Sequence, residues 1–161
     1  MSIVVSDTSP LLTLARVGRL DLLQALYREV IIPPAVQREL IDERTDLPLD
    51  VTKLPWISVV VPLNRSPVTN VPGGLDPGES EALAVALEIR ADLVLVDERR
   101  ARNVAEKLDL KITGILGVLL EAKAVGLIVE VKPLLDEIIQ EARFRIGQAL
   151  YQRVLSAAGE D

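Results

Sequence analysis

Leu93-Val94-Leu95-Val96-Asp97-Glu98-Arg99-Arg100 decides the fold. The four apolar residues read as a strand buried on both faces, and the charged run from Glu98 to Leu108 reads as a helix. Working outward, Ile3-Val4-Val5 before Ser6-Asp7 is a second buried strand, and Val30-Ile31-Ile32, stopped by Pro33-Pro34, is a third. Ile57 to Val61 and Ile112 are further strand candidates. Between them lie helical stretches. One opens with Ser9 as N-cap and Pro10 as its first residue and ends at Gly18. Others run from Leu20 to Leu26, Pro34 to about Glu43, Asp76 to about Ile89, Gly114 to Val125, and through the C-terminal part from Pro133 to Ala158. Apolar strands alternating with helices predict an α/β fold, a parallel sheet with helices on both faces. Sites in such folds lie beyond the carboxyl ends of the strands, where the strand order reverses.

Length and composition narrow the chemistry. The 161 residues fit one domain over 1–161, with a C-terminal helical extension over about 133–158. Hydrophobic residues make up 49% and charged residues 26%, enough for a core and unlike a disordered chain. With no His and no Cys, a Ser-His-Asp triad, a Cys nucleophile, an imidazole base and an ordinary structural zinc site are excluded. Only Trp56, Phe144, Tyr27 and Tyr151 are aromatic, which argues against an aromatic platform for nucleic-acid bases. Lys and Arg total 18 against 24 Asp and Glu, a net charge of -6 and a poor footprint for non-specific nucleic-acid binding. Carboxylates, hydroxyls, Lys, Arg or a bound metal must therefore do the chemistry. The opening Met1 to Asp7 has no secretory-signal character, and the longest apolar region, Ile115 to Val129, is broken by Glu121 and Lys123. A soluble cytoplasmic protein with no membrane contact is expected. Arg44 to Pro55 reads as a loop, and Pro62 to Gly74 as a second and more mobile one.

The acids at strand ends and on helix faces stand out. Asp7 and Asp97 each follow a buried strand. Helix capping explains Asp97 as well as a site role does, whereas Ser9 already fills the capping role near Asp7. Glu39 borders the apolar stripe formed with Val36 and Leu40, although a solvated face also accounts for it. Asp42 and Glu43 fall nearer the end of the same helix, against its dipole. Asp76 followed by Glu79 resembles a capping box, yet Glu79 heads the face carrying Ala82, Leu83 and Ala86. Glu81 shares its face with Glu88 and reads as solvent-exposed, so Glu79 is the better site candidate. Carboxylates gathered at one sheet edge repel one another unless a cation joins them, and oxygen ligands suit Mg²⁺ or Mn²⁺.

Several segments, taken in order, carry a family resemblance. Val5-Ser6-Asp7-Thr8-Ser9-Pro10-Leu11 and Ile32-Pro33-Pro34-Ala35-Val36-Gln37-Arg38-Glu39-Leu40 resemble the opening of PIN-domain ribonucleases. Leu75-Asp76-Pro77-Gly78-Glu79-Ser80-Glu81-Ala82 and Leu95-Val96-Asp97-Glu98-Arg99-Arg100-Ala101-Arg102 look like a VapC-like branch of that family, a type with a Gly-Glu-x-Glu-Ala motif. Thr113-Gly114-Ile115-Leu116-Gly117 and Val131-Lys132-Pro133-Leu134-Leu135 extend the match to about Ala142. The resemblance implies a three-layer α/β/α fold with a central parallel sheet. It also implies Mg²⁺- or Mn²⁺-dependent RNA cleavage by the toxin of a toxin–antitoxin pair, with a homodimer and a cognate antitoxin protein as partners. The family's acidic quartet, both catalytic and metal-binding, falls on Asp7, Glu39, Glu79 and Asp97. The third position is commonly Asp, and here it is Glu79. Thr8, Ser9 and Thr113 match polar positions near the metal pocket. Glu98 is an extra ligand or a helix-start acid. Arg99, Arg100 and Arg102 are candidate RNA phosphate contacts, or a solvated helix face.

Two other readings compete. A receiver-type phosphoacceptor domain also gathers acids around Mg²⁺, but it needs a Lys after a late strand, and neither Lys111 nor Lys123 fits. A catalytically inactive PIN-like interaction module is the second, with the apolar positions of Ile138 to Leu155 available to a partner helix or a second copy.

Overall fold

β1 (Val4–Ser6) is buried along its whole length because its neighbouring residues serve opposite layers. Val4 packs into one apolar cluster and Val5 into the other. The computed structural model describes residues 2–65, 68 and 74–161. Its strands are β1, β2 (Val30–Ile32), β3 (Ile57–Val59), β4 (Leu93–Leu95) and β5 (Ile112–Thr113). They form one parallel sheet in the order β3-β2-β1-β4-β5. In register, Val5 lies opposite Ile31 on one side and Val94 on the other, while Ser6 pairs with Leu95.

The helices cover both faces, giving a three-layer α/β/α architecture. On one face, α1 (Thr8–Arg16), α2 (Asp21–Tyr27), α6 (Ile115–Ala124) and α7 (Val131–Glu141) bury Leu11, Leu22, Leu119 and Ile138 against Val4 and Leu95. On the other, α4 (Pro77–Glu88) and α5 (Arg99–Lys107) bury Leu83, Val85, Ala101 and Ala105 against Val5, Val94 and Val96. The small alanines of α4 and α5 let these helices sit close to the sheet. α3 (Pro34–Ile41) packs mainly on α4, and α8 (Gln148–Ala157) closes the C-terminal end against α6. A 3-10 turn over Val51–Lys53 interrupts the expected loop from Arg44 to Pro55.

The chain runs outward from β1 through β2 to β3, then returns to place β4 on the other side of β1. The strand order therefore reverses between β1 and β4, the two strands that Asp7 and Asp97 follow. Three local expectations need correcting. α1 begins at Thr8, so Asp7, not Ser9, occupies the N-cap position, and Pro10 lies inside the first turn, where no N–H is required. α3 stops at Ile41, so Asp42 and Glu43 lie beyond it. Asp42 instead accepts from the Arg44 guanidinium and backbone amide, a local turn that ends the helix. The C-terminal part is two helices separated by residues 142–147. Most of the loop expected over Pro62 to Gly74 lies outside the described residues.

Candidate active site

The carboxyl ends of β1 and β4 open into a cleft of about 1170 Å³. Asp7, Glu39 and Asp97 line it, as do Thr8, Ser9 and Thr113. Three of the four predicted acids, from α3 and from the ends of two adjacent strands, thus meet one space.

Asp7 is 5% exposed, and its amide is fixed by the Leu95 carbonyl at 3.0 Å across the switch point. Burial pushes its carboxyl up to about 7. The adjacent Thr8 amide works against this, while the charges of Asp76, Glu79 and Glu39 add to it. Although Asp7 stands at the N-cap, its side chain makes no capping hydrogen bond into α1.

Asp97 does cap a helix, but not the one that follows it. Its Oδ1 accepts the Ile115 amide at 2.9 Å, at the start of α6. Its Oδ2 is buried with no partner among the described residues. Burial first, then the Glu98 charge, raise its pKa against the pull of the Ile115 amide and Arg102. Glu98 is exposed on the cleft at the N-cap of α5 and makes no capping hydrogen bond.

Glu39 is held from two sides. Thr8 Oγ1 donates to its Oε2 at 2.5 Å. Its carboxylate also lies against Gly78, where a side-chain carbon would come within 2.7 Å of Oε1. The glycine of the Gly-Glu-x-Glu-Ala motif is thus a space requirement. Gly117 plays the same part for Thr113, whose hydroxyl a side-chain carbon there would strike.

Glu79 is placed differently from the other three. At 1% exposure it sits behind the cleft wall and does not line the cleft. The expected capping box forms: Glu79 N donates to Asp76 Oδ1 at 2.8 Å, and Asp76 N donates to Glu79 Oε1 at 3.0 Å. Oε2 has no partner among the described residues, and the Arg100 guanidinium lies 4.0 Å from Oε1. Burial raises the Glu79 pKa. The acid that reaches the cleft at this corner is Asp76, which its capping role concealed in the sequence.

Glu81 overturns the solvent-exposed reading. It is 7% exposed, accepts the buried Ala35 amide at 3.0 Å and pairs with Arg65 Nη2 at 2.8 Å. It pins the start of α3, and with it Glu39, to α4. Arg99 and Arg102 line the cleft, whereas Arg100 turns toward Glu79. Arg102 Nη1 also donates to the Val96 carbonyl at 3.3 Å. Arg16, Arg143, Phe144 and Arg145 line the cleft too, and nothing in their sequence context marks them. Lys123 lies elsewhere, bonded to Glu160 and the Ala158 carbonyl, away from any phosphoacceptor role. In the stretch from Ile138 to Leu155, Ile138, Ala142, Val154 and Leu155 are buried, leaving Leu150 as an exposed large apolar residue.

The donor chemistry fits a hard divalent cation. Every acid at the cleft offers oxygen, and the buried Asp97 Oδ2 lacks a partner among the described residues, as does Glu79 Oε2 behind it. Among the described residues, no three acidic side chains converge closely enough to hold a metal ion as they stand. Within the same residues, no helix is long and apolar enough to cross a membrane.

A comparison with curated proteins finds no match. The profile of a family described as a PIN domain matches residues 3–160, and PIN domains are generally nucleases that work with a divalent metal. With that match over almost the whole length and a parallel α/β/α sheet presenting acids at its switch point, this chain belongs to the PIN-domain family.

Proposed function

We propose that this chain is an endoribonuclease that cleaves RNA phosphodiester bonds with Mg²⁺ or Mn²⁺, acting in the cytoplasm as the toxin of a toxin–antitoxin pair of the VapC type. The observation that carries the reading is Asp97: its Oδ1 is fixed by the Ile115 amide while its buried Oδ2 has no partner among the described residues, just beyond the strand that pairs with β1. Such a carboxylate is preorganised to take a cation.

Asp7 and Asp97 would hold the ion, with Glu39 and Asp76, which line the same cleft, supplying further oxygens and Glu79 contributing charge to Asp7. When bound, the cation polarises the phosphoryl oxygen and acidifies a water. Thr8 fixes the rotamer of Glu39 through its hydroxyl, and Ser9 and Thr113 offer hydroxyls lining the cleft. Arg99 and Arg102 supply positive charge to phosphate oxygens on the α5 side. The family resemblance also supports a homodimer and a cognate antitoxin as partners. Exposed Leu127 and Val129, beside α7, offer apolar surface for either.

The test is cleavage of single-stranded RNA with Mg²⁺ or Mn²⁺. EDTA should abolish it, and Asp7→Asn should lower it about 100-fold or more. Cleavage that survives EDTA or Asp7→Asn overturns the reading. One observation favours a non-cleaving PIN-like module instead, namely that no three acids converge among the described residues. That module would show neither cleavage nor metal-dependent stabilisation.

A further inference from the structure

The cleft has lining residues that the acids do not explain. Arg143, Phe144 and Arg145, from the turn joining α7 to α8, line the same cleft as Asp7 and Asp97. Both arginines are exposed, and neither has a hydrogen bond or ion pair among the described residues. Arg19, Arg44 and Arg65 are by contrast paired with Asp21, Asp42 and Glu81. Phe144 is half-buried, anchored against the core while also lining the cleft. Arg143 has a φ of 54°, the left-handed conformation that follows a helix C-cap and suits glycine better than arginine. The cleft, at about 1170 Å³, is larger than the roughly 300–1,000 Å³ of a small-molecule site. An acidic centre repels a polyanion, so a strand entering it needs uncommitted cations at the approach.

We infer that the turn from Arg143 to Arg145 is the strand-holding wall of the cleft. The two guanidiniums take phosphates of single-stranded RNA flanking the one at the acids, and the Phe144 ring stacks on a base between them. The inference rests on the ribonuclease reading above and adds the residues that hold its substrate. One ring is not a platform, so it orients the strand at one nucleotide and leaves most of the affinity to charge.

The test is binding of a short, fluorescein-labelled single-stranded RNA of mixed sequence, followed by anisotropy in EDTA across a range of salt concentrations. Arg143→Gly, which relaxes the left-handed residue, should melt no lower than wild type yet reduce the salt slope by about 0.7. Arg145→Gln should lower the slope similarly. Phe144→Leu, which keeps the apolar anchor, should weaken binding about 5-fold or more with the slope unchanged. Unchanged affinity and slope in folded Arg143→Gly and Arg145→Gln, with wild type binding RNA, overturns this wall and leaves the ribonuclease reading intact. An acidic Asp/Glu peptide that binds as tightly as the RNA and is weakened by the same variants overturns RNA as the occupant. Wild type that neither binds nor cleaves RNA overturns the ribonuclease reading and this inference with it.

Discussion

Gly114 and Asp97 approach so closely that a side-chain carbon on the glycine would overlap the carboxylate Oδ1, the atom that accepts the Ile115 amide. The same carbon would meet Arg102 Nη1 at 2.9 Å and the Val96 carbonyl oxygen at 3.2 Å. The Gly114 φ of -122° is open to any residue, so space and not backbone conformation demands the glycine. Gly114→Ala should push Asp97 from its place, destabilising the fold by about 1–3 kcal/mol and lowering RNA cleavage about 10-fold or more. Thermal melting and a cleavage assay on the same preparation check both, and wild-type values in each would refute the constraint.

Asp7 sets a pH dependence of stability. Its folded pKa of about 7 lies above the ordinary 3.8, so between about pH 4 and pH 7 the folded chain binds more protons than the unfolded one. Stability from this group is therefore greatest below pH 4 and falls as pH rises to 7. The loss above pH 7 amounts to about 4 kcal/mol. Asp7→Asn should be more stable than metal-free wild type at pH 8, with the difference vanishing near pH 4. Urea denaturation at the two pH values measures this, and equal stability at pH 8 would show that the carboxylate is not strained. Divalent cations should raise the melting temperature of wild type at pH 8 and leave the variant nearly unmoved.

The hydrogen bond from Thr8 to Glu39 joins the end of β1 to α3. Thr8→Val keeps the side-chain shape and removes the donor. It should cost about 1 kcal/mol of stability and lower activity, while Thr8→Ser restores both. Calorimetry and cleavage rates on the pair decide it: a Val variant as stable and active as wild type, beside an impaired Ser variant, would point to the methyl group instead.

Glu81 has a structural task and no access to the cleft. Glu81→Ala leaves the buried Ala35 amide without an acceptor and should cost about 1–3 kcal/mol. Glu81→Gln keeps the acceptor and gives up only charge pairing with half-exposed Arg65, so about 1 kcal/mol or less is expected. Equal losses in a denaturation series would instead place the weight on the ion pair.

Much of this site was legible in one dimension. Asp7 and Asp97 follow apolar runs that can only be covered strands, and the rule for parallel sheets sends such residues to the reactive edge. Glu39 was marked by its place beside the apolar stripe of Val36 and Leu40, and the glycines by motif alone. Glu79 was preferred to Glu81 for its apolar face, and Asp76 went unmarked because a capping box accounts for it; its reach into the cleft shows only in the fold. Glu81 was misread because helical spacing placed it with Glu88, whereas the neighbour across it is the start of α3.

The order of apolar runs and helical segments by itself determined a parallel α/β sheet and the two aspartates at its centre, since double-sided burial and strand alternation are local properties of the chain. Tertiary structure alone decided which carboxylates share the cleft, which one holds α3 in place, and that Arg143, Phe144 and Arg145 line the same cleft as Asp7. Those are relations between segments far apart in the chain, 46 residues for Glu81 and Ala35, and packing, which no local pattern encodes, fixes them.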